Sequence, residues 1–213
     1  IGRYEKNHCG LKKMKGIILL NGEPYLGAID CENALVYCCD GAYKWAKNKA
    51  RIDKNIGDFD SLDETPYPLP EEVYPAEKNF TDGEIALKKM LEAGADEIEI
   101  YGGGGGREDH FIGNLQLVYK AFKRGAKCAL ITQNSRIFAG TSRIFLGNYA
   151  KKTISVLPFG GTLHIINSKG LKYEYPDSIS YGECRGISNI VETEEACLTV
   201  EGVALIFINL GEV

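Results

Sequence analysis

The sequence predicts two regions of different fold class, an α/β domain over residues 14–134 and an all-β domain over residues 135–213. In the first region, short apolar runs alternate with segments of helical periodicity, which is typical of a mostly parallel, Rossmann-like sheet with crossover helices. In the second, short β-branched runs are separated by turn residues, which is typical of a sandwich or a barrel. Residues 1–13 precede Met14 and are either native or a tag or extension.

The first region contains four predicted strands, at 16–20, 34–39, 97–101 and 127–132, and three predicted helices, at 41–48, 82–93 and 109–124. The third helix is the clearest, because its apolar residues recur at helical spacing and form one stripe. These residues are Phe111, Leu115, Val118 and Phe122. Gly125 follows as a C-cap. This helix and its flanking strands predict a βαβ unit, whose two strands lie parallel in one sheet.

The second region contains five predicted strands, at 153–159, 162–166, 171–175, 196–200 and 203–208. Each is bounded by residues typical of turns. Glu201-Gly202 separates the last two runs, so the chain is predicted to close with a β-hairpin.

Composition and charge exclude several classes of protein. The net charge of −4 predicts no general attraction to nucleic acid or to an anionic membrane. No apolar run approaches the roughly 18 residues of a membrane span, and the polar N-terminus does not resemble a signal peptide. The seven cysteines lack C-x-x-C spacing, and several lie in apolar runs. They are interpreted as buried, reduced thiols of a cytoplasmic protein.

Asp58 and Asp60 stand two residues apart in the stretch NIGDFDSLDE. If this stretch is extended, both side chains point to one side, about 6–7 Å apart, and can share a hard cation such as Mg²⁺. The alternative is a local Asx-turn or N-cap, in which Asp60 or Ser61 caps a following turn. Both interpretations remain open from this motif alone.

Five consecutive glycines, Gly102 to Gly106, precede Arg107 at the predicted start of the third helix. Ordering such a run costs backbone entropy, and close approach of a ligand to the backbone is the usual reason for it. Free N–H groups at the helix start and the guanidinium of Arg107 suit phosphate oxygens. The alternative is a flexible loop with Asp109 as the N-cap of the helix.

Thr81 and Glu84 fit a capping box at the start of the second helix. This local role leaves Asp82 free to face the carboxyl edge of the sheet, where ligands bind in open parallel sheets. Lys78, just upstream, is either solvated or a phosphate partner. His110, beside Asp109, is either a base or a structural histidine.

Taken together, these motifs resemble the thiamine pyrophosphokinase family in order and spacing over nearly the whole chain from Met14. The motifs are Asp40-Gly41-Ala42, Gly57-Asp58-Phe59-Asp60-Ser61, Lys78-x-x-Thr81-Asp82-x-Glu84, Gly105-Gly106-Arg107-x-Asp109-His110 with Asn114, and Gly186-x-Ser188-Asn189. The resemblance implies an α/β domain followed by a β-sandwich. It also implies a Mg²⁺-dependent cytosolic homodimer that makes thiamine diphosphate and AMP from thiamine and ATP.

The resemblance also implies roles for single residues. Those at the acidic positions around Mg²⁺ and the phosphates are Asp40, Asp58, Asp60 and Asp82. Arg107 and Asp109 match the substrate-side loop, and Ser188 and Asn189 match the element that reaches thiamine from the β domain of the other subunit. The remaining matched binding positions are Gly41, Lys78, Thr81, Gly105, Gly106 and Asn114.

Phosphoryl transfer depends on positioning and charge stabilisation, so these acids, Arg107 and the glycine amides suit it. Asp82 or Asp109 is the expected proton acceptor for the alcohol. Two other functions remain open: a Mg²⁺-dependent phosphohydrolase, and a non-catalytic sensor of nucleotide or thiamine. The first leaves the loop of Arg107 unexplained, and the second leaves the costly cluster of aspartates unexplained.

Overall fold

A computed structural model describes residues 13–60, 62–71, 73–74 and 79–211. Five strands of the first region pair in parallel, in the order β3-β2-β1-β4-β5. They are β1 (Lys15–Leu19), β2 (Ala34–Cys39), β3 (Lys54–Ile56), β4 (Glu97–Tyr101) and β5 (Lys127–Ile131). The four predicted strands and the parallel pairing are confirmed. The short strand β3, directly before the Asp58 motif, extends the sheet at its edge.

Within the described residues, three α-helices accompany these strands: α1 (Tyr43–Ala46), α2 (Asp82–Glu92) and α3 (Glu108–Lys123). The predicted first helix, 41–48, is shorter than expected and begins with a 3₁₀ turn, Asp40–Ala42. The capping box of α2 is confirmed, because the Thr81 hydroxyl accepts from Glu84 N at 3.2 Å and Glu84 accepts from Thr81 N at 3.4 Å.

Helix α3 packs its apolar stripe on the sheet as predicted, with Leu115 and Val118 buried in a core shared with α2. Gly125 follows the helix with φ +83°, a left-handed conformation that suits glycine after a helix end. The helix begins one residue earlier than predicted, and its N-cap is Arg107 rather than Asp109. The alternative in which Asp109 caps this helix is therefore wrong.

The second region consists of antiparallel strands. They are β6 (Ser135–Phe145), β7 (Thr153–Pro158), β8 (Leu163–Lys169), β9 (Ser178–Ile179), β10 (Asn189–Ile190) and β11 (Cys197–Asn209). The predicted closing hairpin at Glu201-Gly202 is wrong, because 196–200 and 203–208 belong to the single strand β11. Its register shifts between Val200 and Ala204, where one edge exchanges partner β8 for β7. Gly202, with φ +96°, belongs to this bulge rather than to a turn.

One further prediction for this region is wrong, and one strand was not predicted. Residues 171–175 do not form a strand, and only Leu171 makes an isolated bridge, to Val191. Strand β6 was not predicted, because its alternation is weak: few of its residues are buried. It is nevertheless the strand that joins the two regions, pairing with β5 on one side and β11 on the other.

The described strands therefore form one mixed 11-stranded sheet that continues from the parallel to the antiparallel region. A polar cluster spans the junction. The Glu99 carboxylate on β4 accepts from Arg136 Nη1 on β6 at 2.8 Å and from the Tyr101 hydroxyl at 3.0 Å. Lys15 Nζ lies 3.4 Å from the same carboxylate. Two strands of the parallel region are thus tied to the first strand of the antiparallel one.

The described cysteines are not disulfide-bonded; Cys38, Cys39, Cys128 and Cys197 are buried and Cys184 is exposed. Burial raises the pKa of the Cys38 and Cys128 thiols to about 12, so both are protonated at neutral pH. The helices in the described ranges are too short or too polar to cross a bilayer.

Candidate active site

A cavity of about 1330 Å³ lies at the carboxyl edge of the parallel strands. Segments that follow β1, β2, β3 and β4 line it, together with the first turns of α2 and α3. In a parallel sheet these strand ends meet at one edge, so residues far apart in the sequence face one space. Most of the predicted site residues in the first region line this cavity: Asp40, Asp58, Thr81, Asp82, Gly105, Gly106, Arg107, Asp109 and Asn114.

Three carboxylates converge at one end of this edge. One oxygen from each of Asp40, Asp58 and Asp60 lies within 4.8 Å of the other two. Hard oxygen ligands at this mutual distance suit Mg²⁺, which takes few carboxylates and keeps other positions for water and phosphate oxygens. The residues present therefore fit the cation that the D-x-D motif predicted.

The path by which Asp58 and Asp60 meet differs from the expectation. The stretch is a turn rather than an extended strand, because Phe59 adopts φ +62°. Asp58 Oδ1 also accepts from Asp60 N at 3.2 Å, which forms an Asx-turn, but the side chain that makes it is Asp58 and not Asp60 or Ser61 as in the alternative. The local turn and the acidic cluster are thus one structure. Ser61, the other proposed cap, lies outside the described residues.

Asp40 is held against this turn in a conformation that non-glycine residues rarely adopt, with φ +43°. Its Oδ1 accepts from Phe59 N at 3.1 Å. Gly57, with φ +154°, lies beneath it, and a Cβ atom there would come 2.9 Å from the Asp40 Cβ. Glycine is therefore required at position 57, because the segments that follow β2 and β3 approach each other closely there. Gly41 is similarly confined, in this case by the Asn21 side chain.

The pKa of the Asp60 carboxyl is raised above its usual value. The causes, in order, are its hydrogen bond with Asp58, the charge of Asp58, partial desolvation, and the charges of Asp40 and Asp82. Like charges at short range disfavour ionisation of one of them. A cation bound between the carboxylates relieves this repulsion, which is the electrostatic reason for placing them together.

Asp82 occupies the first turn of α2 and lines the same cavity. Because Thr81 and Glu84 supply the cap, the carboxylate of Asp82 is not needed for it. Asp82 is not one of the three carboxylates of the compact cluster. Its charge nevertheless reaches Asp60 and contributes to the raised pKa of that carboxyl.

The glycine loop is packed mainly against the protein itself. A Cβ at Gly102 would lie 2.3 Å from Leu20 O, and one at Gly103 would lie 2.6 Å from the Leu130 side chain. Only at Gly106, with φ +69°, would a Cβ meet nothing within 4 Å. The sequence suggested that close approach of a ligand explains the five glycines. The structure shows instead that most of them are needed for packing against the protein itself. Asn114 Nδ2 donates to Gly103 O at 2.9 Å and fixes the loop on α3.

Arg107 and Asp109 form a two-pronged ion pair at the start of α3. Arg107 Nε lies 3.1 Å from Asp109 Oδ1, and Nη2 lies 2.6 Å from Oδ2. This pairing lowers the pKa of the Asp109 carboxyl and raises that of the guanidinium. Both side chains are exposed to the cavity. His110, also exposed, lines the cavity beside them.

Ser188 and Asn189 are not among the described residues that line this cavity. Asn189 is buried, and its amide accepts from Tyr173 N at 3.0 Å and donates to Tyr173 O at 2.8 Å. Ser188 is exposed, with φ +61°. The predicted role of Lys78 falls outside the described residues.

Several lining residues were not predicted as site residues, among them Asn21, Glu23 and Lys120. Asn21 and Glu23 follow β1, and Lys120 lies on α3. The rule that polar residues at the carboxyl ends of strands face the ligand edge applies equally to the segment after β1. The sequence could therefore have predicted Asn21 and Glu23. It could not have predicted Lys120, whose Nζ lies 3.1 Å from Glu84 Oε1, because this position depends on how α2 and α3 pack.

Comparisons with known proteins agree with this arrangement. The family model "Thiamin pyrophosphokinase, catalytic domain" matches residues 30–130, and "Thiamin pyrophosphokinase, vitamin B1 binding domain" matches residues 142–203. The thiamine pyrophosphokinase of Bacillus subtilis is 38% identical over 143 residues, 63% of this chain and 67% of that protein.

Solved structures of this family have the same fold. A crystal structure of the Bacillus subtilis enzyme has a TM-score of 0.79 at 30% identity, covering 92% of this chain and 99% of that one. One from Geobacillus thermodenitrificans has a TM-score of 0.76 at 25% identity, covering 93% and 98%. The chain belongs to the thiamin pyrophosphokinase family.

Proposed function

We propose that this chain transfers a pyrophosphoryl group from ATP to the hydroxyl of thiamine, giving thiamine diphosphate and AMP. The observation that carries this proposal is the cluster of Asp40, Asp58 and Asp60, of which Asp40 and Asp58 line the same cavity as Arg107 and the glycine loop. Family membership supplies the substrates, and this site supplies groups suited to the reaction. A cation site and a phosphate-binding loop at one edge are what a triphosphate donor needs.

The metal positions are assigned to Asp40, Asp58 and Asp60, with Asp82 beside them. Mg²⁺ held by these residues would neutralise phosphate charge and help to orient the transferring group. The chain's own part is to hold these oxygens in place, through the turn at Phe59 and the hydrogen bond from Phe59 N to Asp40. Such preorganisation avoids the cost of assembling the site during the reaction.

The alcohol of thiamine attacks the β-phosphorus, and the bond from that phosphorus to the oxygen of the α-phosphate breaks, so that AMP leaves. Arg107 and the backbone N–H groups of the exposed residues Gly105 and Gly106 are proposed to stabilise the charge that moves toward the leaving phosphate. Of the two expected proton acceptors, Asp109 is the weaker one. Both carboxylate oxygens of Asp109 are occupied by Arg107, and its pKa is lowered, which weakens it as a base.

Thiamine is proposed to bind between two copies of the chain. Ser188 and Asn189 belong to the part matched by the vitamin B1 binding model, yet they do not line the acidic cavity of their own chain. A homodimer that places this element of one copy over the cavity of the other joins the two halves of the site. Exposed apolar side chains nearby, Tyr173, Tyr181 and Ile187, are consistent with a covered surface.

We also propose a fold class for each of the two regions and a location for the protein. The parallel region over 14–134 is assigned as a Rossmann-like catalytic domain, and residues 135–213 as a β-sandwich for thiamine binding and dimerisation. The strand order β3-β2-β1-β4-β5 and the branching of β11 between β7 and β8 support these assignments. A cytoplasmic location is proposed because the described cysteines are not disulfide-bonded.

One assay tests the function. Purified protein with Mg²⁺-ATP and thiamine is expected to produce AMP and thiamine diphosphate in equal amounts. Free phosphate without thiamine diphosphate would identify a phosphohydrolase instead. Binding of both substrates without turnover would identify a sensor. Either result would overturn the proposal.

A further inference from the structure

The β1 extension, residues 20–23, continues β1 across the carboxyl edge of the sheet, between the segments that follow β2 and β4. On the side of β2, the Asn21 side chain lies against Gly41, where a Cβ atom would come 2.3 Å from Asn21 Nδ2. On the side of β4, three backbone N–H groups of the extension donate to carbonyl oxygens: Leu20 N to Tyr101 O at 2.8 Å, Gly22 N to Gly102 O at 2.7 Å and Glu23 N to Gly104 O at 2.8 Å. The β1 extension therefore links the segment of Asp40 with the glycine loop.

Trp45, on α1, contacts both the β1 extension and the glycine loop. Its Nε1 donates to Leu20 O at 3.2 Å. Its ring lies against the first glycine of the loop, because a Cβ atom at Gly102 would come 2.7 Å from Trp45 Cζ2. The same Cβ atom would come 2.3 Å from Leu20 O, and Gly102 adopts φ +71°, a conformation that suits glycine. One indole thus holds the end of β1 and the start of the glycine loop together.

The side chain of Leu20 extends this connection to the start of α2. It is buried in the core that α2 and α3 share. A Cβ atom at Gly83 would come 3.2 Å from Leu20 Cδ2, and one at Gly103 would come 3.4 Å from Leu20 Cδ1. Gly83 is the neighbour of Asp82 in the first turn of α2. A shift of Leu20 would therefore move the surroundings of both the glycine loop and Asp82, because closely packed interiors transmit displacements.

Packing in the core does not by itself account for this placement of Trp45. The side chain is half-buried and packs against the core cluster that contains Ala42 and Ala46. That packing needs an apolar ring, but it needs neither an N–H group directed at the end of β1 nor contact with Gly102. Trp45 also follows Asp40 closely in the chain, through the 3₁₀ turn Asp40–Ala42 and the start of α1. The indole therefore stands between the segment of a predicted metal ligand and the glycine loop.

We infer that Trp45 is a positioning residue of the active site, which sets the spacing between the acidic cluster and the glycine loop through Leu20 and Gly102. This inference rests on the proposed function and goes beyond it, because Trp45 is not among the described residues that line the cavity. It acts on the reaction only by fixing groups that touch the substrates. Transfer between two bound substrates depends steeply on such spacing, since small misplacements of reacting groups lower the rate.

Fluorescence of the wild-type protein gives the first test and needs no variant. Trp45 is the only tryptophan in the chain, so selectively excited indole emission reports on this position alone. Indole emission responds to rearrangement of nearby charges and dipoles. Mg²⁺ tripolyphosphate, a probe without a ring of its own, is expected to change the emission, because ordering of the glycine loop alters the surroundings of the indole. Emission that does not change on titration with this probe would overturn the inference.

Kinetics of Trp45→Phe give the second test. This variant keeps an aromatic ring but removes the N–H group and shortens the contact with Gly102. It is expected to lower kcat for AMP formation about three- to tenfold, the scale of a displacement of a few tenths of an ångström. The KM for thiamine is expected to stay within about twofold, because the lost interaction positions groups for the transition state rather than binding the substrate.

Phe138→Leu is the matched control. Phe138 is half-buried and packs against the same core cluster as Trp45, but β4 and β5 separate its strand from β1. The control is expected to lower the free energy of unfolding without changing kcat. Unchanged kcat in Trp45→Phe, or an equal loss of kcat in both variants, would overturn the inference. A protein that makes no AMP, but whose emission responds to Mg²⁺ tripolyphosphate, would refute the proposed function and still support the positioning by Trp45.

Discussion

The parallel and antiparallel regions differ in the partners that surround their polar side chains. At the edge of the parallel region, carboxylates of like charge are brought together, with Asp40, Asp58 and Asp60 within 4.8 Å. In the antiparallel region, the buried amide of Asn189 is paired in both directions with the backbone of Tyr173. Both regions use left-handed backbone nearby, at Phe59 and at Ser188. A cluster that repels itself points to a ligand, whereas a polar group that is satisfied internally points to a role in the fold.

This difference is tested most strongly at the acidic edge. Asp60→Asn is expected to lower kcat about a hundredfold, because it removes one charge from the proposed metal site, on the usual scale for lost charge stabilisation. AMP release at saturating Mg²⁺ measures the effect. Asp63→Asn, a nearby exposed aspartate outside the cluster, is the control and is expected to leave kcat unchanged. Near-normal turnover of Asp60→Asn would remove this residue from the metal site.

The junction of the two regions predicts a stability effect without a loss of chemistry. Glu99→Gln is expected to lower the free energy of unfolding by roughly 2 kcal/mol, because Arg136 loses its charged partner in a half-buried position. Glu97→Gln, exposed on the same strand, is the control. Chemical denaturation at neutral pH measures both variants. Equal effects of the two substitutions would mean that the junction cluster does not stabilise the sheet.

The ionisation of the Glu99 carboxyl is also expected to make the stability of the protein depend on pH. Burial raises the pKa of Glu99, but the hydrogen bonds and charges of Arg136, Tyr101 and Lys15 outweigh it, so the folded-state pKa lies below the usual value. A lowered pKa contributes stability above the unfolded value of about 4.3, and this contribution is lost as the pH falls through the folded-state value. Denaturation from pH 6 to pH 3 is therefore expected to show a shallower decline for Glu99→Gln than for wild type. A parallel decline would contradict this assignment.

Substitutions of Asn189 and Ser188 test the same comparison in the antiparallel region. Asn189→Ala is expected to destabilise the protein by roughly 1.5 kcal/mol, since it leaves backbone groups of Tyr173 without their partners. Asn167→Ala, an exposed asparagine on β8, is the control. Ser188→Ala is expected to raise the KM for thiamine with little effect on stability. If Asn189→Ala changes only the KM for thiamine, the amide acts on the substrate rather than on the fold.

The smallest expected effect concerns the backbone beneath Asp40. Gly57→Ala places a Cβ 2.9 Å from the Asp40 Cβ, so the carboxylate must shift by a few tenths of an ångström. Misplacement on this scale is expected to lower kcat about three- to tenfold. Gly161→Ala, where a Cβ meets nothing within 4 Å, is the control. An unchanged kcat would show that the metal site tolerates movement of Asp40.

Local patterns predicted much of the parallel region because their causes are local. The stripe of α3 and the capping box of α2 depend on residues within a few positions of one another. The antiparallel region was harder to predict, because a Glu-Gly pair inside a strand has the sequence pattern of a turn until the pairing of the strand is known. Glu201-Gly202 lies in a bulge of β11 only because β7 and β8 pair in succession along one edge.

The sequence by itself predicted which residues carry the chemistry, and it determined that most of them follow strands of a parallel sheet. Only the tertiary structure decided how they meet: the strand order brings β3 and β2 together, and the turn at Phe59 folds Asp60 back toward Asp58. It also decided that the indole of Trp45 lies between the end of β1 and the start of the glycine loop. The physical reason is that periodicity and capping act over a few residues, whereas strand order and cavity walls arise from contacts between distant segments.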